Sequence, residues 1–196
     1  MAEIIGICGK AGSGKDTMVE EYLKRPNHPL AQRFSFGDGV KHSAAAIFRE
    51  PIGKFYEHKE EVSEQWGISY REMLQKLGTE FARDMIDKDF WVKWLHSKIQ
   101  GIPPAIQLVF ITDVRFDNEA DWVHARGGVV IECVRQQETN LGAEEEHHSS
   151  ENGISAHLID YRITNDNTIE ILGNRLETAL ATMFKLGALF DTKVKY

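Results

Sequence analysis

A glycine-rich segment close to the first residue constrains the fold more than any other feature of the sequence. Residues 9–15 read GKAGSGK, which fits the phosphate-binding pattern G-x-x-x-x-G-K. The apolar run over 3–8 before it predicts a buried strand, and the pattern over 15–23 after it predicts a helix. Glycines let successive backbone N–H groups point inward, at the positive end of the following helix. The segment therefore favours a phosphate-binding loop over the alternative, a glycine turn without a ligand.

Strand and helix patterns alternate along the rest of the chain. Further strands are expected over 33–36, 106–111, 129–134 and 158–164. Helices are expected over 40–48, from Ser69 onward with an apolar face of Met73, Leu74, Leu77, Phe81 and Met85, over 90–99, from a cap at Asp117 to 126, and over 168–184. This alternation predicts an α/β fold with a mostly parallel sheet, in which ligands bind at the edge formed by the carboxyl ends of the strands.

The composition excludes several classes of protein. There are 23 Lys and Arg against 30 Asp and Glu, and the net charge of −7 argues against a protein that coats nucleic-acid polymers, although not against a free nucleotide. No run approaches the roughly 20 apolar residues that a membrane span needs. Cys8 and Cys133 lie in apolar runs, and the first residues lack the pattern of a secretory signal. We therefore expect a reduced, cytoplasmic protein.

The residue that follows the loop lysine departs from the usual pattern. Lys15 is expected to place its ammonium on the β- and γ-phosphates, but Asp16 stands where the usual loop has the serine or threonine that binds Mg²⁺, and Thr17 comes one position later. Either Asp16 binds Mg²⁺ directly or through water, or the metal is held by phosphates, water and Asp113. A third interpretation gives Asp16 no ligand, because the helix dipole favours an acidic residue in the first turn.

Charged residues at strand ends complete the predicted catalytic set. Asp113 follows the apolar run 108–111, which places a carboxylate at the sheet edge beside the loop unless it only caps a turn. Arg115 stands where motor and switch ATPases usually carry an acidic residue that activates water, and an arginine there favours contact with a substrate phosphate. Arg135 ends another predicted strand near the same edge. We predict that Arg115 and Arg135 act together with Lys15.

Seven segments of the chain, in this order, resemble the phage-type deoxynucleoside monophosphate kinases, a branch of the P-loop nucleotide and small-metabolite kinases. They are GKAGSGKDT, FGDGVK, REMLQKLGTEFAR, DKDFWV, ITDVRFDNEA, HHSSE and ITNDNTIEIL, and the resemblance covers nearly the whole chain. It implies a single P-loop kinase domain over 1–196 with a three-layer α/β/α fold and a mostly parallel central sheet. It also implies a helical monophosphate-binding insertion over about 37–100 and a lid over about 135–156.

The resemblance also implies roles for residues at matching positions. The ATP phosphates would be held by Lys10, Ala11, Gly12, Ser13, Gly14, Lys15, Asp16 and Thr17. The acceptor nucleotide would be faced by Asp38, Lys41, Arg71, Glu80 and Arg83, together with Arg115. Asn165 and Asp166 resemble an adenine-side loop, although Asn-Asp-Asn-Thr is equally typical of a turn that caps a helix.

The two arginines of the helix after Ser69 pose a geometric problem. Twelve residues of α-helix amount to about 3.3 turns, so Arg71 and Arg83 would point in directions about 120° apart. Both can line one site only if the helix meets the site obliquely or breaks near Gly78. Otherwise they are surface arginines that flank an apolar helical face.

The implied reaction is transfer of the γ-phosphate of Mg²⁺-bound ATP to a deoxynucleoside monophosphate, which releases dNDP and ADP. Because a phosphate acceptor is already ionised, the reaction needs positioning and charge rather than a strong general base. Kinases of dephospho-coenzyme A or phosphomevalonate share the loop and the Asn-Asp pattern and are an alternative, and a nucleotide-dependent switch or assembly ATPase is another. The sequence leaves open the accepted bases, ribose selectivity and the oligomeric state, for which a homodimer is one option.

Overall fold

A computed structural model describes residues 2–26, 28–135 and 153–191 of the chain, the last eight of them by their backbone alone. The described parts of 1–33 and 104–196 form one compact unit, and residues 34–103 form a second. The second unit spans nearly the same range as the predicted monophosphate-binding insertion, whose role stays a prediction. The predicted lid over 135–156 lies outside the described residues except at its ends, and the HHSSE segment lies wholly outside them.

A parallel sheet lies at the centre of the first unit. In the described residues it has five strands, which are β1 (Glu3–Cys8), β2 (Ala31–Phe34), β3 (Leu108–Ile111), β4 (Val129–Arg135) and β5 (Tyr161–Asn165). Their order is β2-β3-β1-β4-β5, and Ile5 of β1 lies beside Phe110 of β3 and Val129 of β4. The middle strand is apolar nearly throughout because it is covered on both faces.

Helices cover the two faces of this sheet. They are α1 (Lys15–Leu23), α6 (Asp117–His124) and α7 (Ile169–Asp191). Ile5 and Ile7 of β1 share one core with Met18 of α1 and Leu176 of α7. Gly6, which faces the opposite way on the strand, lies against Val123 of α6. The predicted three-layer α/β/α fold is confirmed.

The second unit is helical. Its elements are α2 (Phe36–Phe48), α3 (Lys54–Glu57), α4 (Tyr70–Gln75), a π-helical segment (Lys76–Ile86) and α5 (Phe90–Gln100). Phe55 packs edge-on against Tyr70, with 5.2 Å between the ring centroids. The buried indole of Trp91 donates its N–H to the carbonyl of Gly78 at 2.8 Å. These contacts give the unit an aromatic core of its own.

Several strand boundaries differ from the prediction by one to three residues, and two of these differences have a clear local cause. β2 ends at Phe34, two residues earlier than predicted, because the side chain of Ser35 accepts a hydrogen bond from the backbone N–H of Asp38 at 3.1 Å and starts α2 there. β5 begins at Tyr161, three residues later than predicted, since residues 156–158 form a 3₁₀ turn. Capping and a tight turn override the apolar runs in both places.

The helix that follows Ser69 starts as predicted and then changes type. The Ser69 hydroxyl accepts a hydrogen bond from the backbone N–H of Glu72 at 3.1 Å. After Gln75 the chain continues as a π-helix, whose wider turn holds more residues than an α-turn. Residues spaced for an α-helix therefore leave the buried face, and Phe81 and Met85 are 48% and 77% exposed. The prediction that both belong to the apolar face is wrong.

Candidate functional site

Between β1 and α1 the chain forms a tight loop that needs glycine at two positions. Gly9 has a φ of +133°, and a Cβ there would lie 2.3 Å from the carbonyl oxygen of Cys133. Gly14 has a φ of +96°, and a Cβ there would lie 2.4 Å from the side-chain nitrogen of Asn165. Both residues have backbone conformations that side chains disfavour. The loop thereby lies directly against the ends of β4 and β5.

The carbonyl of Ser13 ties this loop to the sheet. Its oxygen accepts hydrogen bonds from the thiol of Cys133 at 3.2 Å and from the side-chain amide of Asn165 at 2.9 Å. Asn165, predicted to lie on the adenine side, is thus a contact of the phosphate loop, and its role toward adenine stays a prediction. The neighbouring Asp166 accepts a hydrogen bond from Arg175 of α7 at 2.6 Å.

The hydroxyl of Ser13 is suited to a phosphate ligand. The residue is 3% exposed, and its Oγ is buried with no hydrogen-bond partner among the described residues. This oxygen lies 3.0 Å from the position that a Cβ on Gly9 would take. Buried hydroxyls rarely stay unpaired in native proteins. An unpaired donor in a loop with this sequence pattern fits a phosphate oxygen. The contact between residues 10–17 and ATP stays a prediction.

The side chain of Lys15 binds back to the backbone of its own loop. Its Nζ donates to the carbonyl oxygens of Gly9 and Lys10, each at 2.7 Å. An ammonium has three N–H donors, so one more is available to an anion. Burial lowers the pKa of the Lys15 amine below its ordinary value, and the positive charge of Arg115 lowers this pKa further. Two cations therefore act on each other beside the loop, an arrangement that favours a bound polyanion.

The two arginines predicted at strand ends both lie near this loop. Arg115 is close enough to affect the pKa of Lys15, as described above. Arg135, the last residue of β4, points its Nη1 at the carbonyl oxygen of Gly12 at 3.4 Å. The structure thus brings Lys15, Arg115 and Arg135 together at the carboxyl edge of the sheet, whereas their catalytic roles remain predictions.

Glu119 supports the turn that carries Arg115, and it was not predicted. Its buried carboxylate accepts hydrogen bonds from the backbone N–H groups of Arg115 at 2.8 Å and of Phe116 at 3.2 Å. Asp117 was predicted to cap α6, and this prediction is wrong. Its carboxylate instead accepts two hydrogen bonds from Ser155, at 2.7 and 2.6 Å. The signal for Glu119 was an acidic residue at the third position of a helix, where it can reach back to the cap.

Asp16 is held from two sides. Its Oδ1 accepts a hydrogen bond from the Arg33 guanidinium of β2 at 2.7 Å and another from the Thr112 hydroxyl, just beyond β3, at 2.8 Å. Asp113, the other predicted metal ligand, is the next residue after Thr112 and is half-buried. Thr112 thus contacts Asp16 and directly precedes Asp113 in the chain, although neither it nor Arg33 was predicted at the site.

The acidic residues at this edge suit Mg²⁺ better than a metal with an all-protein site. Carboxylate oxygens are the protein ligands that Mg²⁺ prefers, and it usually takes one or two of them together with water and substrate phosphates. Among the described residues no group of three or more His, Cys, Asp or Glu could enclose a metal ion. Asp16 and Asp113 fit a site that needs phosphates for completion.

Two of the predicted acceptor residues form a cluster in the second unit. Asp38 accepts hydrogen bonds from Lys41 at 3.2 Å and from the hydroxyl of Tyr56 at 2.8 Å. The Lys41 ammonium also lies 4.2 Å from the centre of the Tyr56 ring. Tyr56 is therefore a third member of this cluster, which the sequence did not reveal.

Arg71 lies in a groove of about 360 Å³ that Tyr56 also lines. The guanidinium of Arg71 contacts Oε1 of Glu60 through Nε at 2.6 Å and through Nη2 at 2.5 Å. Glu80 lies 4.0 Å from Lys76, and Arg83 points its Nη1 at the carbonyl of Lys88 at 3.4 Å. Tyr56 thus links the cluster at Asp38 to Arg71, while Glu80 and Arg83 each contact a residue four or five positions away in the chain.

The π-helical segment changes the relation between Arg71 and Arg83. Each α-helical residue turns the chain by about 100°, whereas each π-helical residue, at about 4.4 per turn, turns it by about 80°. The path between the two arginines is α-helical up to Lys76 and π-helical beyond it, and it amounts to about three full turns. By this geometry the two positions lie on nearly the same side of the helix, and no break at Gly78 is needed.

A comparison with protein families decides where the chain belongs. A family model described as deoxynucleotide monophosphate kinase matches residues 40–176, more than half of the chain. The chain belongs to the deoxynucleotide monophosphate kinase family. The resemblance drawn from the seven sequence segments is thereby confirmed, and the family match includes the whole of the second unit beyond residue 40.

Individual relatives of this family are similar over most of their length. A protein of Acanthamoeba polyphaga mimivirus with the provisional name deoxynucleotide monophosphate kinase is 31% identical over 85% of this chain and 90% of its own. The deoxynucleoside-5'-monophosphate kinase of Escherichia phage T5 is 25% identical over 84% of this chain and 90% of its own. Both alignments extend over the two units described above.

A solved structure shows the same fold outside these relatives. The crystal structure of TT1252 from Thermus thermophilus has a TM-score of 0.50 with this chain at 19% identity, over 92% of this chain and 97% of that one. Within the described residues, no helix has the length and apolar character to cross a membrane.

Proposed function

We propose that the chain is an ATP-dependent kinase that transfers the γ-phosphate of ATP to a deoxynucleoside monophosphate and releases dNDP and ADP. One observation carries this proposal: in a member of this family, the buried Ser13 hydroxyl has no hydrogen-bond partner among the described residues, in a loop whose Lys15 ammonium lies near the positive charge of Arg115. Fixed positive charge of this kind stabilises a phosphoryl group during transfer. Arg115, in place of an acidic residue, leaves no carboxylate at that position to activate water.

We assign binding of the ATP phosphates to the first unit. Backbone N–H groups of residues 10–17 and the Ser13 hydroxyl would donate to phosphate oxygens, and the third N–H of Lys15 would contact the β- and γ-phosphates. Arg115 and Arg135 would contact the phosphate group that is transferred. Asn165 and Asp166 are assigned to the adenine side. The catalytic contribution of these groups is position and charge rather than proton transfer.

Asp16 and Asp113 are the residues that would hold Mg²⁺ beside the phosphates. Their carboxylate oxygens match the preference of this cation, as argued above. When bound, the cation would offset the charge that builds up on the phosphate oxygens.

The second unit is assigned the acceptor nucleotide. Arg71 and Arg83 would contact its phosphate, because their common direction lets two guanidinium groups act on one anion. The acceptor nucleotide would also be faced by Asp38, Lys41 and Glu80. Glu60, which now pairs with Arg71, is a solvent-exposed carboxylate that a phosphate of higher charge can replace.

Several finer assignments belong to the same proposal. A lid over about 135–156 would close over the nucleotides and exclude water, which limits wasteful hydrolysis of ATP. A cytoplasmic location agrees with two buried free thiols. A homodimer is one option for the oligomeric state, and the mass in solution tests it.

The decisive assay is ADP release from Mg²⁺-bound ATP with a panel of dNMPs, NMPs, dephospho-coenzyme A and phosphomevalonate. We expect release to depend on a dNMP and to be lost in Lys15→Ala. Lys24→Ala is the matched control, because the Lys24 side chain is exposed and pairs with Glu21 on its own helix at 3.4 Å. Release without any acceptor would favour a switch or assembly ATPase, and release with dephospho-coenzyme A or phosphomevalonate alone would favour another small-molecule kinase.

A further inference from the structure

The carboxylate of Asp16 is oriented by two residues that lie far from it in sequence. Arg33 Nη1 donates to Oδ1 at 2.7 Å and Thr112 Oγ1 donates to the same atom at 2.8 Å, and neither contact uses Oδ2. One oxygen is thus tied to β2 and to the end of β3, and the other is left for a further ligand. A carboxylate on a surface helix would otherwise rotate among several rotamers.

The two donors differ in burial. Thr112 is 2% exposed, so its single hydroxyl proton is committed to Asp16 rather than to solvent. The side chains of Arg33 and Asp16 are 41% and 61% exposed. An ion pair as exposed as this one adds little to stability, because water screens it. The main consequence of the two hydrogen bonds is therefore that they hold the Asp16 carboxylate in one orientation.

The orientation of the Asp16 carboxylate matters because of the position of this residue directly after the loop lysine. The residue that follows the lysine of a phosphate-binding loop normally offers one hydroxyl oxygen to Mg²⁺. A carboxylate at the same position has two equivalent oxygens on a longer side chain, so it needs an additional constraint to offer one of them. Carboxylate oxygens, which are negatively charged, are also suitable ligands for a divalent cation that accompanies phosphates.

We propose that Thr112 and Arg33 are positioning residues that fix Asp16 through Oδ1 so that Oδ2 faces the divalent cation accompanying ATP. This inference rests on the proposed use of ATP, although not on the identity of the acceptor. Thr112 supplies the buried, uncharged part of the constraint and Arg33 the exposed, charged part. Neither residue touches the cation.

The test compares ATP binding with and without Mn²⁺, by titration calorimetry in the absence of any acceptor. Outer-shell partners of metal ligands typically contribute a factor of about 10 to 100 in metal affinity. We expect Mn²⁺ to tighten ATP binding to the unaltered chain, and Thr112→Val to reduce that gain about tenfold while ATP binding in EDTA changes less than about twofold. Thr112→Ser, which keeps the hydroxyl, should restore the gain.

Control variants separate positioning from general damage. Thr178→Val makes the same change at an exposed hydroxyl that donates to the carbonyl of Asn174 on its own helix, and it should leave the tightening by Mn²⁺ unaltered. Asp16→Asn should lose the gain, and Thr112→Val should add nothing further in that background, because Thr112 acts through Asp16. Asp16 is exposed, so Asp16→Asn gives a result even if Thr112→Val does not fold.

Several results would overturn the proposal. The first is that Mn²⁺ tightens ATP binding to Thr112→Val or to Asp16→Asn as much as to the unaltered chain. The second is that Thr112→Val weakens ATP binding in EDTA by the same factor as in Mn²⁺, and the third is that the double variant loses more of the tightening than Asp16→Asn alone. The fourth is that Mn²⁺ does not tighten ATP binding to the unaltered chain. Failure of the proposed kinase activity is distinguishable, because it would show as absent phosphate transfer to dNMPs in a chain that still binds ATP more tightly with Mn²⁺.

Discussion

The side-chain amide of Asn165 donates a hydrogen bond to the carbonyl oxygen of Ser13, with 2.9 Å between the two atoms, and so joins the end of β5 to the phosphate loop. Asn165→Ala should therefore weaken binding of any ligand of the loop, by about fivefold to tenfold for one lost hydrogen bond. Calorimetry with ATP and with inorganic tripolyphosphate tests this. A loss confined to ATP would contradict the loop role and favour contact with adenine. Asn174→Ala, an exposed site on α7, is the control.

The buried carboxylate of Glu119 holds the turn that carries Arg115. Glu119→Gln keeps the shape of the side chain but weakens both hydrogen bonds from the backbone. We expect the free energy of unfolding, measured in urea, to fall by about 1–3 kcal/mol. The rate of phosphate transfer should fall more than ATP affinity, since the turn bears an arginine assigned to the transferred phosphate. Asp121→Asn, an exposed change on the same helix, should alter neither quantity.

The common direction of Arg71 and Arg83 predicts that they act on one anion. Arg71→Ala and Arg83→Ala should each raise the KM for dNMP by about tenfold, the usual effect of losing one charged hydrogen bond, and leave the KM for ATP nearly unaltered. Effects on a shared ligand are not additive, so the double variant should differ from the product of the single effects. Strict additivity would show that the two residues work independently. Arg49→Ala, at an exposed arginine of the second unit, is the control.

The buried thiol of Cys8 predicts that stability depends on pH in the alkaline range. Burial raises the pKa of Cys8 to about 12 from 9.0, and the Glu132 carboxylate adds to this rise. Between these values the unfolded chain loses the proton while the folded chain keeps it, so the free energy of unfolding falls as pH rises. The slope is at most about 1.4 kcal/mol per pH unit for one group. Urea titrations across this range should show a smaller slope in Cys8→Ala, and an unaltered slope would contradict the assignment.

Much of the fold follows from local sequence signals. The loop after Cys8, the central strand and the Ser69 cap depend on residues that are neighbours in the chain, so their patterns are visible in the sequence. The contact between Asp16 and Thr112 joins residues that are 96 positions apart, and only the packing of β1 beside β3 brings them together. No local pattern could have indicated it.

The π-helical segment shows a different reason for failure. The apolar residues after Ser69 recur with α-helical spacing, and this spacing predicts one continuous buried face. The structure instead buries Gly78 against Val40 and lets Trp91 bond to its carbonyl, and the wider turn exposes Phe81. Contacts with α2 and α5 thus override the local periodicity. The same change of helix type removes the obstacle to a joint role of the two arginines.

The central claim is transfer of phosphate to a deoxynucleoside monophosphate, and the most direct measurement follows the phosphate itself. The chain is incubated with ATP labelled at the γ-phosphate, Mg²⁺ and a dNMP, and the products are separated. We predict that the label leaves ATP and appears in dNDP, and that Lys15→Ala abolishes this transfer while its thermal unfolding shows a folded chain. Label that appears only in inorganic phosphate, with no dNDP for any dNMP supplied, would contradict the claim.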